Sequence, residues 1–129
     1  MTGTKDEVVM YRLQRAKDTL EDAKILADNQ RWNSAINRLY YASYYAITAL
    51  LLDADLKQLT HNGVKSNFSE YFIKTNRIDR EFGKLFAQLF TFRQKGDYDD
   101  LFDLSEDKVI HYFSPVADLI KTIEGYLTV

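Results

Sequence analysis

A chain of 129 residues with 46% hydrophobic, 28% charged and 14% aromatic side chains is globular and of single-domain size, and residues 1–129 read as one domain. Its 17 basic and 19 acidic residues leave a formal net charge of -2, which excludes a global basic field, so any phosphate site has to be local. The absence of cysteine excludes disulfides and thiolate metal sites, while the longest apolar run, "LYYASYYAITALLL" from Leu39, is too short to span a membrane.

The first segment, "MTGTKDEVVMYRLQ", lacks the apolar stretch of a secretory leader, so the expected location is the cytoplasm. With one proline, five glycines and no repeats, the pattern predicts an all-α, up-and-down bundle of about five helices. A first helix starts at Thr4, where Thr4 and Glu7 form a capping box, and its stripe Val9, Leu13, Ala16, Leu20, Ala23, Ala27 runs to near Asn29. The second runs from about Trp32 to Leu56. One of its faces carries Ile36, Leu39, Tyr40, Ser43, Ile47, Leu50 and Leu51; the other carries Arg38, Tyr41, Tyr45, Ala49 and Leu52. A helix apolar nearly all round is central, packed on other helices or on another subunit, and this predicts a symmetric homodimer. "THNG" places a turn at His61 to Gly63, ahead of a short third helix to about Lys74. The fourth begins at an Asp79 cap and ends at Gly96, read as a C-cap, so that Tyr98 leaves the helix near Arg93. The fifth starts near Ser105. Pro115 inside it predicts a kink, or a separate helix capped by Ser114.

There is no glycine-rich phosphate loop, no metal-spaced His or carboxylate cluster and no nucleophile signature, so neither a metal nor a cofactor is expected. His111 lies opposite the apolar stripe of the fifth helix and reads as a surface side chain. His61 reads as an organiser of the turn or of the start of the third helix. Tyr40, Tyr41, Tyr44 and Tyr45 read as packing side chains, the alternative being a base-stacking platform. Arg93 continues the apolar stripe of Phe82, Phe86 and Leu89, and Arg38 shares a face with Tyr41 and Tyr45, so both guanidinium groups point at packed surface. An unpaired buried guanidinium is costly. Arg93 therefore has either a carboxylate partner, Asp97 or Asp99, or a ligand, for which the bidentate fork suits a phosphodiester or nucleotide.

Three stretches, "NRLYYASYYAITALLL", "THNGVKSNFSEYFIKT" and "FRQKGDYDDLF", together resemble the HEPN domain superfamily, particularly its small stand-alone bacterial members associated with minimal nucleotidyltransferases. The resemblance covers Trp32 to Leu127, with the first helix as the leading helix. It implies a homodimeric bundle whose polar motifs face a shared cleft. It also implies kinship with metal-independent endoribonucleases, often toxins encoded beside a nucleotidyltransferase that acts as antitoxin, whose motif is an arginine, four to six residues, then a histidine. Arg93 matches the motif arginine, but Tyr98 stands where a histidine is expected and none follows through Leu104. Histidine titrates near neutrality and can take a 2′-hydroxyl proton; a phenol, with an ordinary pKa of about 10, does so poorly. The expected function is therefore a non-catalytic or weakly catalytic module. It binds a nucleotide or RNA phosphate through Arg93, Tyr98, Asp97, Arg38, Tyr41 and His61 and partners a nucleotidyltransferase, which can load a nucleotide onto Tyr98. The alternative is an endoribonuclease toxin that uses Arg93 with a non-standard base, His61 being the substitute.

Overall fold

A computed structural model describes residues 3–56 and 60–127, and its axis is α2 (Trp32–Asp53). Ala35, Ala42, Ala46 and Ala49 are fully buried along α2, and side chains this small let neighbouring helices approach closely. α1 (Lys5–Asp28) lies antiparallel to it: Lys5 pairs with Asp55, Arg12 reaches Thr48 and Arg15 reaches Tyr45, so the numbering climbs on one helix as it falls on the other. α4 (Arg80–Tyr98) and α6 (Phe113–Tyr126) close the other sides of α2, and α3 (His61–Phe68) packs near its middle. Among the described residues there is no strand, and no helix is long and apolar enough to cross a membrane. Leu39, Ile47, Phe68, Phe86, Leu89 and Leu119 are sealed in the core, each worth about 1.5–3 kcal/mol of burial.

The bundle and its leading cap match the sequence pattern. Glu7 N–H donates to Thr4 Oγ1 at 3.2 Å while Thr4 N–H donates to Glu7 Oε1 at 3.4 Å. Asp79 likewise accepts from Glu81 N–H at 2.9 Å. Four boundaries differ from expectation. α2 ends at Asp53 rather than Leu56, because Asp55 turns left-handed (φ 59°) and Leu56 N–H closes on Leu51 O at 2.9 Å. His61 to Gly63 is not a turn but the first turn of α3, since Thr60 caps it by accepting from Gly63 N–H at 2.8 Å. From there α3 continues through a widened turn, Ser69–Ile73, in which Lys74 N–H bonds Ser69 O at 2.9 Å, so it does end near Lys74.

Gly96 does not end the fourth helix. α4 continues to Tyr98 and opens into extended backbone at Asp99, an ending that requires no left-handed glycine. The loop that follows is held from α2 instead: Asn33 Nδ2 donates to Phe102 O at 2.9 Å and its Oδ1 accepts from Leu104 N–H at 2.8 Å. Pro115 sits in the first turn of α6, and the break lies ahead of it rather than at Ser114. Because the ring excludes the carbonyl four residues back, the chain passes from α5 (Glu106–Val109) through a 3-10 turn, Ile110–Tyr112, before α6 begins. α5 and α6 together make the broken fifth helix of the bundle.

Candidate functional site

Three elements converge beside the middle of α2. From α2 come Asn37, Arg38, Tyr40, Tyr41 and Tyr44, spaced so that the helix repeat brings them to one side. The last two turns of α4 supply Arg93 and Asp97, and the capped start of α3 supplies His61. The Arg93 side chain is 11% exposed, and its Cζ lies 5.0 Å from the Tyr40 ring centroid and 5.8 Å from that of Tyr41. Its carboxylate contact is Asp97, at 3.7 Å, beyond hydrogen-bond length; Asp99 does not pair with it. Its Nε is buried and has no hydrogen-bond partner among the described residues.

Asp97 is shared. Asn37 Nδ2 reaches both of its oxygens at 3.4 Å, and Asn37 Oδ1 in turn accepts from Arg38 Nη2 at 2.8 Å and Nε at 3.2 Å. Arg38 Cζ lies 5.0 Å from the Tyr41 ring, so the two arginines stand against one phenol. A cavity of about 380 Å³ opens beside them, lined by Asn33, Asn37, Arg38, Gly96 and Asp97 among others. With no side chain on Gly96, one wall stays open: an added Cβ would meet Asn33 alone, at 4.0 Å.

On the other side of Tyr40, its hydroxyl lies 2.7 Å from His61 Nδ1, and the imidazole stacks on Tyr44 with centroids 4.6 Å apart. Burial, and then the Arg93 charge, hold the His61 pKa below its ordinary value. Burial pushes the Tyr40 phenol well up, against the opposing pull of Arg93. The pair is thus a neutral imidazole and an un-ionised phenol sharing one proton-bearing contact. If Tyr40 donates, Nε2–H is a donor to the site; if Nδ1–H donates, Nε2 is an acceptor able to take a proton.

Of the residues singled out from the sequence, Arg93, Asp97, Arg38, Tyr41 and His61 are brought together. Tyr98 is not. Since α4 does not stop at Gly96, Tyr98 lies about 140° around the helix from Arg93, and it is 76% exposed with no contact to the cluster among those described. His111 is exposed on the 3-10 turn, as expected. Asn37 and Tyr40 were not legible as site residues, although Asn37 to Tyr40, Tyr41 and Tyr44 follows i, i+3, i+4, i+7 spacing, which is the available signal. Among the described residues no group of three or more His, Asp or Glu side chains is placed to hold a metal ion.

An up-and-down helical bundle with an arginine-centred polar cluster between its central helix and the flanking α3 and α4 defines a class of small all-α modules. A family model described as HEPN domain matches residues 9–126, and the chain belongs to the HEPN domain family. It is 38% identical over 123 residues to a protein of Thermotoga maritima named as a UPF0332 protein, covering 95% of this chain and 88% of that one. Two proteins of Methanocaldococcus jannaschii, named as candidate toxins MJ0142 and MJ0605, are each 30% identical. The first match covers 74% of this chain and 65% of that protein, the second 89% and 87%.

Proposed function

We propose that this chain is a toxin-like HEPN module that binds an RNA or nucleotide phosphate through Arg93 and Arg38, with weak or no cleavage of its own. It works as a homodimer beside a nucleotidyltransferase. The observation that carries the reading is the Arg93 guanidinium, nearly buried, with a long contact to Asp97 and an unpartnered Nε. A charged donor in that condition costs several kcal/mol unless something completes its hydrogen bonds, and a phosphate supplies the acceptors. The toxin character rests on the names carried by the two Methanocaldococcus jannaschii relatives. Binding of a labelled single-stranded RNA to the full chain tests it: Arg93→Ala should weaken affinity at least tenfold and His111→Ala should leave it unchanged. Undiminished binding by Arg93→Ala overturns the reading.

A second reading, a metal-independent endoribonuclease, is favoured by one contact. His61, held neutral beside Tyr40 and near Arg93, is the group with the pKa range to take a 2′-hydroxyl proton while the guanidinium neutralises the phosphate. Incubation of RNA with the pure protein in EDTA separates the two. Little or no cleavage is expected; cleavage that is lost on changing Arg93 or His61 selects the nuclease instead.

A further inference from the structure

A second concentration of arginines and phenols lies where α1 crosses α2. A cavity of about 450 Å³ opens there, lined by Tyr11, Arg12, Arg15, Tyr44, Tyr45 and Thr48, with Val8 at its edge, and no carboxylate is among the residues that line it. Arg15 is held by neutral oxygens: Nη2 donates to the Tyr45 hydroxyl at 2.9 Å and Nη1 to the Tyr11 hydroxyl at 3.4 Å. Its Cζ stands 4.7 Å from the Tyr45 ring centroid. No Asp or Glu lies within ion-pair distance of it among the described residues. Arg12 shares the wall, with Nη1 on Thr48 O at 3.3 Å. In a chain of net charge -2 this is a local basic patch.

Ring contacts join the cavity's lining to the Arg93 cluster. Tyr44, part of its lining, is the ring on which His61 stacks. Tyr45 is 6.1 Å from Tyr41, whose ring carries both Arg38 and Arg93. From Arg15 through Tyr45 and Tyr41 to Arg38, two neighbouring rings lie between two guanidinium groups over seven residues of α2, about 10 Å along the helix. Backbone phosphates meet guanidinium groups and unpaired bases meet ring faces, so rings flanked by cations suit a single strand and not a duplex, whose bases are stacked inside.

We propose that the α1–α2 cavity is a second subsite for a single-stranded polynucleotide, seating the nucleotide next to the one whose phosphate lies at Arg93. Arg12 and Arg15 hold its phosphate and the Tyr11 and Tyr45 rings meet its base. The inference rests on the Arg93 reading and extends it from one phosphate to a strand.

Fluorescence anisotropy of the full chain with a labelled mononucleotide, with single strands of about eight nucleotides as RNA and as DNA, and with the matching duplex tests it. For Arg15→Gln the longer single strand should bind about tenfold more weakly and its log–log salt slope should fall by about one, with mononucleotide affinity, set at Arg93, unchanged. Tyr45→Leu should weaken the longer strand without altering the slope. Preference between the RNA and DNA strands assigns the natural source, and duplex binding as tight as single-strand binding overturns the proposal. Affinity lost in Arg93→Ala but kept in Arg15→Gln overturns the second subsite and leaves the Arg93 reading standing; affinity kept in both overturns both. Light scattering on Arg15→Gln is the remaining arm: a dimer broken in step with the lost affinity would make this face a contact between copies and overturn the subsite.

Discussion

The Tyr40 hydroxyl lies 2.7 Å from His61 Nδ1, and this contact ties the central helix to the first turn of α3. It also sets a pH dependence. Burial, and secondarily Arg93, lower the His61 pKa in the folded chain, while the unfolded chain titrates near 6.5. As pH falls below about 6.5 the unfolded state takes up a proton that the folded state resists, so the contribution of the neutral ring is complete above that pH and is lost on acidification. The melting temperature of the wild type should therefore fall more between about pH 7.5 and 5.5 than that of His61→Gln. The exposed His111→Gln should track the wild type. Parallel curves for wild type and His61→Gln would show that His61 titrates normally.

The hydroxyl itself can be removed with the ring left in place. Tyr40 is fully buried and stacks on Phe86 at 5.4 Å with planes 7° apart, a contact Tyr40→Phe keeps. Urea unfolding should show a loss of about 1 kcal/mol, the net worth of one hydrogen bond together with the unpaired Nδ1 left behind. A loss of about 3 kcal/mol or more would mean that ring packing, not the hydrogen bond, had been disturbed.

Arg93 is expected to separate stability from binding. Its guanidinium is desolvated, weakly paired and short of one acceptor. Methionine fills a similar volume without the charge, so Arg93→Met should be as stable as the wild type or up to a few kcal/mol more stable, while RNA binding drops at least tenfold. A variant destabilised by about 3 kcal/mol or more would make Arg93 a structural ion-pair partner of Asp97 instead.

The bundle was legible because its helices are amphipathic over long runs: the stripe from Val9 to Ala23 is buried as its spacing demands, and Thr4 and Asp79 cap where their hydrogen bonds say they should. The ends were less so. Gln30, Asp55 and Asn76 take the left-handed position usually given to glycine, and each is followed by an N–H that closes on the carbonyl five residues back: Arg31 on Leu26, Leu56 on Leu51, Arg77 on Phe72. None of the three is a glycine: apolar spacing alone places the ends near Asn29 and Lys74 and overruns α2 to Leu56, and the glycine stop expected at Gly96 is not one. Arg93 stood out as a polar intrusion in an apolar stripe, but its surroundings did not. Periodicity read Tyr40 as core, which it is, without revealing that its hydroxyl reaches a histidine 21 residues away. Arg12 and Arg15 carried no signal in the sequence; it is the antiparallel α1–α2 hairpin that brings them to one cavity with Tyr44 and Tyr45.

Dimerisation has a structural motive beyond the α2 pattern. Leu101 is fully exposed and holds left-handed backbone (φ 59°). An apolar side chain held wholly in water just past a helix end is surface that an isologous partner can cover. Light scattering at tens of micromolar should give about twice the 15.1 kDa chain mass, and Leu101→Asp should weaken association at least tenfold. A wild-type monomer at that concentration would remove the dimer from the functional reading.

Tyr98 is the remaining residue, and its place at the last turn of α4 changes what it can do. It cannot share a phosphate with Arg93 from the far side of the helix, and with 76% of its surface in water it is not packed over the helix end either. What exposure leaves is access. A phenol at a helix end, followed by Asp99 and Asp100, can enter the active site of another enzyme without any unfolding of the bundle. A nucleotidyltransferase binds metal-nucleotide, and its metal lowers the barrier to deprotonating an incoming hydroxyl. Transfer would join the phenol oxygen to the α-phosphate, release pyrophosphate and place a new negative charge at the end of α4. Co-expression with a nucleotidyltransferase, taken from beside this chain's gene if one is encoded there, followed by intact-mass measurement, should show a nucleotide adduct on the wild type and none on Tyr98→Phe. Tyr11, 62% exposed on α1, is the internal control, so Tyr11→Phe should keep the adduct. An adduct that persists in Tyr98→Phe moves the modification elsewhere, and no adduct on either protein removes the acceptor role altogether.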